Sequence, residues 1–184
     1  MNNWYIADTH FGHDNIIKHC NRPFRSANHM DSALIDNICA KVGPSDRLWV
    51  IGDLAFGPKA KDAGWLHRIF ARLPGEKHLV VGNHDGDQTR SLPWVSVSDV
   101  VEVEDGDGPK TVLSHYPMLT WHRARKGALH LFGHVHNQWL GSRNAVNAGV
   151  NVWSFAPISL RDAKQRARTL PPNKHWDDVE RVSF

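Results

Sequence analysis

The segment His78-Leu79-Val80-Val81-Gly82-Asn83-His84-Asp85 joins a short apolar run directly to a glycine and three polar side chains. Such a run is typical of a buried strand, and the glycine permits a tight turn at its end. The pattern recurs where Asp8-Thr9-His10, Gly52-Asp53, Ser114-His115 and Gly133-His134-Val135-His136 follow the apolar runs 4–7, 48–51, 111–113 and 128–132. Because ligand sites of open α/β sheets lie at the carboxyl ends of the strands, we expect these five clusters to converge.

The segments between these strands have the apolar spacing of helices. Apolar residues recur every three or four positions over 30–42 and 63–73, and each stretch ends at a Gly/Pro pair. A short helix is predicted over 14–20, and further strands are predicted over 95–104 and 145–152. The turn Asp105-Gly106-Asp107-Gly108 leads into the strand 111–113. This alternation predicts an α/β fold in one domain over residues 1–170, followed by a polar tail over 171–184.

The composition is that of a globular protein. Of the 184 residues, 41% are hydrophobic and 22% are charged, and no stretch approaches the roughly 20 apolar residues of a membrane span. No secretory signal is visible and there are only two cysteines, so we expect a cytoplasmic protein with no membrane partner. The net charge of +3 gives little support to nucleic-acid binding. The unusual feature is the content of thirteen histidines.

The polar clusters contain the residue types that bind divalent metals. Carboxylate, amide and imidazole groups recur in them without a cysteine, which argues against a structural zinc finger: Asp8, His10, Asp53, Asn83, His115, His134 and His136. Seven such groups exceed the needs of one tetrahedral ion, whereas two ions that share a carboxylate would use them all. Two-metal sites are suited to the hydrolysis of phosphate esters.

The ordered series Asp-x-His, Gly-Asp, Gly-Asn-His-Asp, His and Gly-His-x-His, from Asp8 to His136, resembles the calcineurin-like metallophosphoesterase superfamily. The string from Asp8 to Ile16, followed by Arg22-Pro23-Phe24, is similar to small bacterial and phage members. This resemblance implies a four-layer α/β/β/α sandwich, in which two mixed sheets pack face to face with helices outside. It also implies two divalent metal ions per chain, with Mn as the first expectation and Fe, Zn, Ni or Co as alternatives.

The resemblance also implies a role for each side chain. The first metal would be held by Asp8, His10 and His136, the second by Asn83, His115 and His134, and Asp53 would bridge the two. A hydroxide between the metals would attack the phosphorus of a phosphate mono- or diester. His84 would face the substrate and either donate a proton to the leaving oxygen or stabilise charge on the phosphoryl group. Asp85 would orient the His84 ring as a hydrogen-bond acceptor.

The origin of a phosphate clamp stays open at this stage. Protein phosphatases of the superfamily carry one arginine shortly after Gly-Asp and another after Gly-Asn-His-Glu, and neither has a counterpart here. The missing cation could come from Arg22, Arg25 or Arg123, although each is also compatible with a solvated basic loop. His13 could contact the substrate or cap the helix predicted over 14–20.

We therefore expect a small phosphorylated or nucleotide-like substrate, and two alternatives remain. One is a nuclease or nucleic-acid end-processing enzyme with the same metal site, which would need a basic groove. The other is a catalytically inactive metal-binding interaction module. Such modules typically lack ligands or the equivalent of His84, all of which are present here. Neither the native metal nor the oligomeric state follows from the sequence.

Overall fold

Ten strands form two five-stranded mixed sheets in the computed structural model, which describes residues 1–179. In chain order the strands are β1 (Asn3–Ile6), β2 (Arg47–Ile51), β3 (Glu76–Val80), β4 (Ser96–Ser98), β5 (Val100–Val103), β6 (Thr111–Ser114), β7 (His130–Phe132), β8 (Gly141–Ser142), β9 (Ala145–Asn147) and β10 (Ile158–Ser159). The first sheet has the order β10-β1-β2-β3-β4 and the second has the order β5-β6-β7-β9-β8. Strands β1 to β4 are parallel, as are β6, β7 and β9, whereas β10, β5 and β8 are antiparallel edge strands.

Helices occur at all three predicted positions, over 14–20, 30–42 and 63–73, and at further positions along the chain. They are α1 (Asp14–His19), α2 (Ala27–Lys41), α3 (Ala63–Arg72), α4 (Asp87–Arg90), α5 (Leu160–Ala167) and α6 (Trp176–Val179), with 3₁₀ helices at Pro58–Lys61, Ala124–Lys126 and Val150–Val152. Helix α2 begins three residues before its predicted start at Met30, because the Ser26 side chain accepts a hydrogen bond from the His29 N–H at 3.2 Å. This N-cap satisfies a backbone donor that apolar spacing does not reveal.

Three apolar clusters separate the layers. Alternate residues of β1 and β2 face opposite clusters, so that Ile6 and Val50 pack under α2 and α3, whereas Tyr5 and Ile51 pack against the second sheet. The third cluster covers the outer face of the second sheet, where Phe132 is fully buried. The expected four-layer α/β/β/α sandwich is confirmed. Its fourth layer is thin: over residues 1–179, the helical structure that packs on the third cluster is the 3₁₀ helix at Ala124–Lys126 and the one-turn α6.

Two predicted strands differ from the structure. The strand predicted over 95–104 is two strands, β4 and β5, because the chain leaves the first sheet at Asp99 and enters the second. The valines at odd positions keep the same phase on both sides of the crossing, but Asp99 and Val100 interrupt the alternation at the point where the chain changes sheet. The predicted strand passes over this short break. The strand predicted over 145–152 ends at Asn147, and Val150–Val152 turns into a 3₁₀ helix.

The predicted polar tail contains α6 and reaches the third cluster. The rings of Trp176 and Trp121 lie 5.6 Å apart between centroids. Residues 180–184 of the tail lie outside the described residues, and the division at residue 170 stays a prediction. Over residues 1–179, no helix combines the length and the apolar character needed to traverse a lipid bilayer.

The carboxyl ends of the parallel strands in both sheets meet at one edge of the sandwich. A backbone connection joins the sheets there, because the Ala7 N–H donates to the Ala148 carbonyl at 3.1 Å and the Val150 N–H donates to the Ala7 carbonyl at 3.0 Å. The five polar clusters follow β1, β2, β3, β6 and β7 at this edge, as the sequence predicts.

Candidate metal centre

Strained backbone marks the edge where the clusters meet. Nine non-glycine residues over residues 1–179 have a positive φ, and five of them are predicted ligands: Asp8 (57°), His10 (52°), Asp53 (57°), His134 (70°) and His136 (48°). Such conformations cost about 1–3 kcal/mol each and persist where the surrounding structure imposes them, commonly at functional sites. The fold therefore imposes a costly backbone conformation at these five residues, and this conformation determines where their side chains point.

Close approach of the backbone explains two glycines in the motifs. A Cβ atom at Gly52, which has a φ of +80°, would collide with the His115 ring. A Cβ at Gly82 would collide with the Asp53 carboxylate. Gly52 therefore lets the residues that follow β2 and β6, strands of different sheets, come into contact. Gly82 does the same for the residues that follow β2 and β3, neighbours in the first sheet.

The first predicted ligand group comes together as expected. One ligand atom from each of Asp8, His10 and His136 lies within 4.8 Å of the others. Four atoms of this group are buried without a hydrogen-bond partner among the described residues: Asp8 Oδ2, both ring nitrogens of His10 and His136 Nδ1. Buried polar atoms are costly to leave unsatisfied, and a cation would satisfy such a set of oxygen and nitrogen donors.

The second predicted group lies next to the first. Asn83 Oδ1 is 3.0 Å from His115 Nε2 and 2.9 Å from His134 Nδ1. Asp53 Oδ2 lies between the two groups, 3.5 Å from His10 Nε2 and 3.4 Å from His115 Nε2. The structure thus brings all seven predicted ligands together, and their binding of metal stays a prediction.

Burial and the pairing of Asp53 with His115 together determine the pKa values of this centre. Burial raises the pKa of Asp8 to about 7 and lowers that of His10 far below its usual range. Burial alone would also lower the pKa of His115, but the Asp53 carboxylate outweighs it and raises that pKa to about 9. The hydrogen bond and charge of His115 in turn hold the pKa of Asp53 below its usual range, although burial opposes them.

His84 stands at the open side of the centre. Its side chain is 35% exposed, and its Nε2 is 4.0 Å from Asp53 Oδ2. The backbone N–H of His84 donates to Asp53 Oδ1 at 2.8 Å, which holds the loop after β3 against the centre. This position suits a group that faces a bound substrate rather than one buried among the ligands.

The predicted role of Asp85 is wrong. Its carboxylate does not contact the His84 ring, because both oxygens are engaged by backbone N–H groups. Oδ2 accepts from Asp53 and Gly82 at 2.9 and 2.8 Å, and Oδ1 accepts from Leu54 at 3.0 Å. Asp85 is a positioning residue for the loop that carries Asp53.

Of the three arginines predicted to contact the substrate, Arg22 is engaged by the protein itself, and the roles of Arg25 and Arg123 stay predictions. Arg22 is buried with 4% exposure and donates to the carbonyls of Asp8 and Thr9 at 2.8 and 3.0 Å and to Asn151 Oδ1 at 2.8 Å. Its guanidinium therefore supports the loop after β1 and cannot grip a phosphate. Arg25 is exposed near the start of α2, and Arg123 is exposed before the 3₁₀ helix on the outer face of the second sheet.

His13 lies beside the first ligand group. Its ring centroid is 5.4 Å from that of His10, and its buried Nδ1 has no hydrogen-bond partner among the described residues. It occupies the N-cap position of α1, but its side chain makes no capping hydrogen bond, so the capping alternative is wrong. A contact with substrate stays a prediction.

The structure places several residues at the site that the sequence analysis does not predict. The Phe56 ring lies 4.2 Å from the His84 ring, and the half-exposed Tyr116 ring lies 4.5 Å from His134. Asn147 Nδ2 donates to the carbonyls of His136 and Trp139, each at 2.7 Å. Tyr116 follows His115 directly and Phe56 follows Asp53 by three residues, so proximity to the motifs is the one signal that could have indicated them.

Comparison with known proteins places the chain in a family. It is 32% identical over 167 residues to the uncharacterized protein MJ1445 of Methanocaldococcus jannaschii, a match that covers 85% of this chain and 86% of that protein. The chain belongs to the MJ1445 family. The Gene 66 protein of Mycobacterium phage L5 is 25% identical over 185 residues, covering 83% of this chain and 87% of its own length. No protein-family profile matches the sequence.

A crystal structure has the same fold as this member of the MJ1445 family. The protein of unknown function AQ665 from Aquifex aeolicus superposes with a TM-score of 0.71 at 27% identity, covering 90% of this chain and 98% of that one. None of these three names states an activity. A functional assignment therefore rests on the chemistry of the site.

Proposed function

We propose that this chain is a dinuclear metal-dependent phosphoesterase of the calcineurin-like superfamily, which hydrolyses a small phosphate mono- or diester. The observation that carries this proposal is the position of Asp53 Oδ2, within 3.5 Å of ring nitrogens from both ligand groups. A carboxylate in that position is suited to two cations at once. The proposed substrate is a phosphorylated or nucleotide-like small molecule.

The donor set fits divalent cations of the first transition series. Oxygen and imidazole donors without thiolate suit Mn, Fe, Zn, Ni or Co, and we take Mn as the first metal to test. Four orphaned buried atoms in the first group support this fit. When bound, such cations lower the pKa of water and neutralise charge on a phosphoryl group.

The chain's own residues divide the remaining tasks. His84 is positioned to give a proton to the leaving oxygen, because it is the partly exposed imidazole nearest to Asp53 on the solvent side. Asp85 and Arg22 hold the backbone of the loops that carry Asp53 and Asp8. Preorganised donors of this kind need no rearrangement during the reaction.

The proposal is tested by hydrolysis of two p-nitrophenyl esters, a phosphate monoester and a phosphodiester. The protein is stripped with a chelator and then receives Mn, Ni, Co, Zn or Mg separately, while bound metal is counted by elemental analysis. Asp53→Asn serves as the matched control, because it preserves the size of the side chain and removes its charge.

Metal-dependent turnover by the wild type, absent from Asp53→Asn, would support a phosphoesterase, and the faster ester would indicate its subclass. Two bound ions without turnover of either ester would favour the inactive interaction module. Absence of bound metal under all conditions would overturn the proposal.

A further inference from the structure

A cleft of about 520 Å³ opens beside His84. It is lined mainly by apolar groups, among them Phe56, Pro58 and Ala60, with the exposed Lys61 at its wall. The volume lies within the range of pockets that hold small organic ligands, roughly 300–1,000 Å³. The proposed phosphoesterase chemistry does not itself require an apolar pocket, so this cleft calls for a separate explanation.

The Phe56 ring forms the wall of the cleft next to the metal centre. Its centroid lies 4.2 Å from that of His84 and 4.6 Å from that of His13. The Phe56 N–H donates to the Phe11 carbonyl at 3.2 Å, and a backbone bridge pairs Phe11 with Ala55. The ring is therefore attached to a fixed piece of backbone and is only half-buried, which leaves part of its surface available to a ligand.

Two glycines of the cleft lining face open space. A Cβ atom built at Gly57 or at Gly86 would meet no heavy atom within 4 Å. Gly86 has an ordinary backbone conformation, with a φ of −73° and a ψ of −179°, so a larger residue there would occupy the cleft without backbone strain.

We propose that this cleft binds the leaving group of the substrate, and that this group contains a planar aromatic ring which packs on Phe56. The inference rests on the proposed function, because it places the phosphoryl group at the metal centre. His84 lies between the two sites, with Nε2 at 4.0 Å from Asp53 and its ring against Phe56. A proton from His84 would then reach the ester oxygen that joins the phosphoryl group to the aromatic portion.

Two substitutions test the cleft, one by removing an aromatic surface and the other by adding bulk. Phe56→Leu removes the aromatic surface but keeps an apolar wall, and Gly86→Leu fills the space. Phe24→Leu is the matched control, because this half-buried ring contacts His29 and Phe155 and does not line the cleft. Thermal unfolding of each variant checks that the fold is retained.

The first readout is the ratio of kcat/KM for phenyl phosphate to that for an alkyl phosphate, measured with Mn²⁺. Intrinsic differences between the esters cancel, because each variant is compared with the wild type on the same pair. The second readout needs no turnover: it is the affinity for phenylphosphonate relative to methylphosphonate, measured by calorimetry. A further pair, adenosine 5′-monophosphate and ribose 5-phosphate, distinguishes a nucleobase from a simple aryl group.

We expect Phe56→Leu and Gly86→Leu each to lower the preference for the aromatic member by about tenfold, because the first removes the stacking surface and the second occupies space beside it. Phe24→Leu should leave the preference unchanged. An equal loss on both members of each pair would overturn the aromatic leaving-group site. Absence of turnover by the wild type would count against the proposed function alone, because the phosphonate affinities would still decide whether the cleft selects aromatic ligands.

Discussion

The buried carboxylate of Asp85 holds the backbone of Asp53, the residue placed between the two ligand groups. Asp85 Oδ2 accepts the Asp53 N–H at 2.9 Å and the Gly82 N–H at 2.8 Å, while Oδ1 accepts the Leu54 N–H at 3.0 Å. Asp53 itself has a φ of 57°. The three hydrogen bonds therefore offset the cost of a left-handed backbone at the residue that both metals would share.

Replacing Asp85 by Asn should weaken both the fold and the metal centre. The amide oxygen can accept two of the three N–H groups, but the amide nitrogen would oppose the third donor. We expect a loss of about 1–3 kcal/mol in the free energy of unfolding of the metal-free protein, together with roughly tenfold weaker Mn²⁺ binding. Urea unfolding with a chelator and calorimetric titration with Mn²⁺ measure these two effects. Wild-type stability with a defect confined to turnover would contradict the positioning role and favour the original assignment to His84.

Arg22 should behave as a support of the loop after β1 rather than as a phosphate clamp. Arg22→Lys keeps the charge but cannot reproduce donation to two carbonyls and to Asn151 from one planar group. We expect a loss of about 2 kcal/mol in the free energy of unfolding, measured by urea denaturation. Arg25→Lys, at an exposed position, is the control and should change stability little. Unchanged stability of Arg22→Lys together with a raised KM for the phosphate ester would instead support Arg22 as the phosphate clamp.

The arrangement of the ligands was predictable because its signals are local. Each strand is an apolar run followed by its ligands directly or after a single residue, as in Val50-Ile51-Gly52-Asp53, so the run locates both the strand and its ligands in the sequence. The roles of Asp85 and Arg22 were not predictable in the same way. Asp85 bonds to backbone groups about 30 positions earlier in the chain, and Arg22 is buried only because the loop after β1 folds over it. Side chains that bind backbone groups far away in the chain leave no spacing pattern.

The crossing between the sheets shows a second limit of the sequence. Valines at 95, 97, 101 and 103 keep the phase of one strand on either side of Asp99, yet β4 and β5 belong to different sheets. Period-two alternation distinguishes the two faces of a strand, but it carries no information on which sheet the strand joins or on what covers either face. Val103 is buried, whereas Val97 is 43% exposed. The register of these strands is determined by pairing with β3 and β6 instead.

His130 should make the stability of the fold depend on pH. Its Nδ1 lies 3.0 Å from the Val112 carbonyl, and its Nε2 accepts the Met118 N–H at 3.2 Å, so only the neutral ring satisfies both partners. Burial lowers the pKa of His130 from 6.5 to about 4. Because the folded pKa lies below the unfolded one, the stabilisation is complete above pH 6.5 and is lost as the pH falls towards 4, an effect of about 3 kcal/mol.

The measurement is the free energy of unfolding of the metal-free protein at pH 7.5 and at pH 4 for the wild type and for His130→Gln. The variant carries no titrating ring, so its loss of stability over this interval should be smaller than that of the wild type by about 3 kcal/mol. Carboxylates and the other histidines contribute equally to both proteins and cancel in the comparison. The same pH dependence in both proteins would show that His130 does not titrate between these values.

Asp53→Asn should weaken metal binding in both groups. Its Oδ2 lies near His10 and His115 alike, so loss of the negative charge removes the attraction that both positions share. We expect metal affinity and turnover each to fall by more than about 100-fold. Loss of a residue that only hydrogen-bonds to a ligand already lowers metal affinity or activity by about 10–100-fold, and Asp53 is itself a predicted ligand. Calorimetric titration should show two weakened sites. One weakened site beside one unaffected site would assign Asp53 to a single metal.

His84→Ala should lower the rate of catalysis without weakening metal binding. The His84 ring is partly exposed and only its backbone N–H bonds directly to Asp53, so the variant should bind metal as the wild type does. If His84 gives a proton to the leaving oxygen, kcat should fall by about 100- to 10,000-fold with little change in KM. The loss should be smaller for an ester whose leaving group needs no proton, such as p-nitrophenol, than for an alkyl ester, and that difference identifies proton donation. An equal loss on both esters would assign His84 to stabilising the phosphoryl group, and a loss of bound metal would make it a ligand.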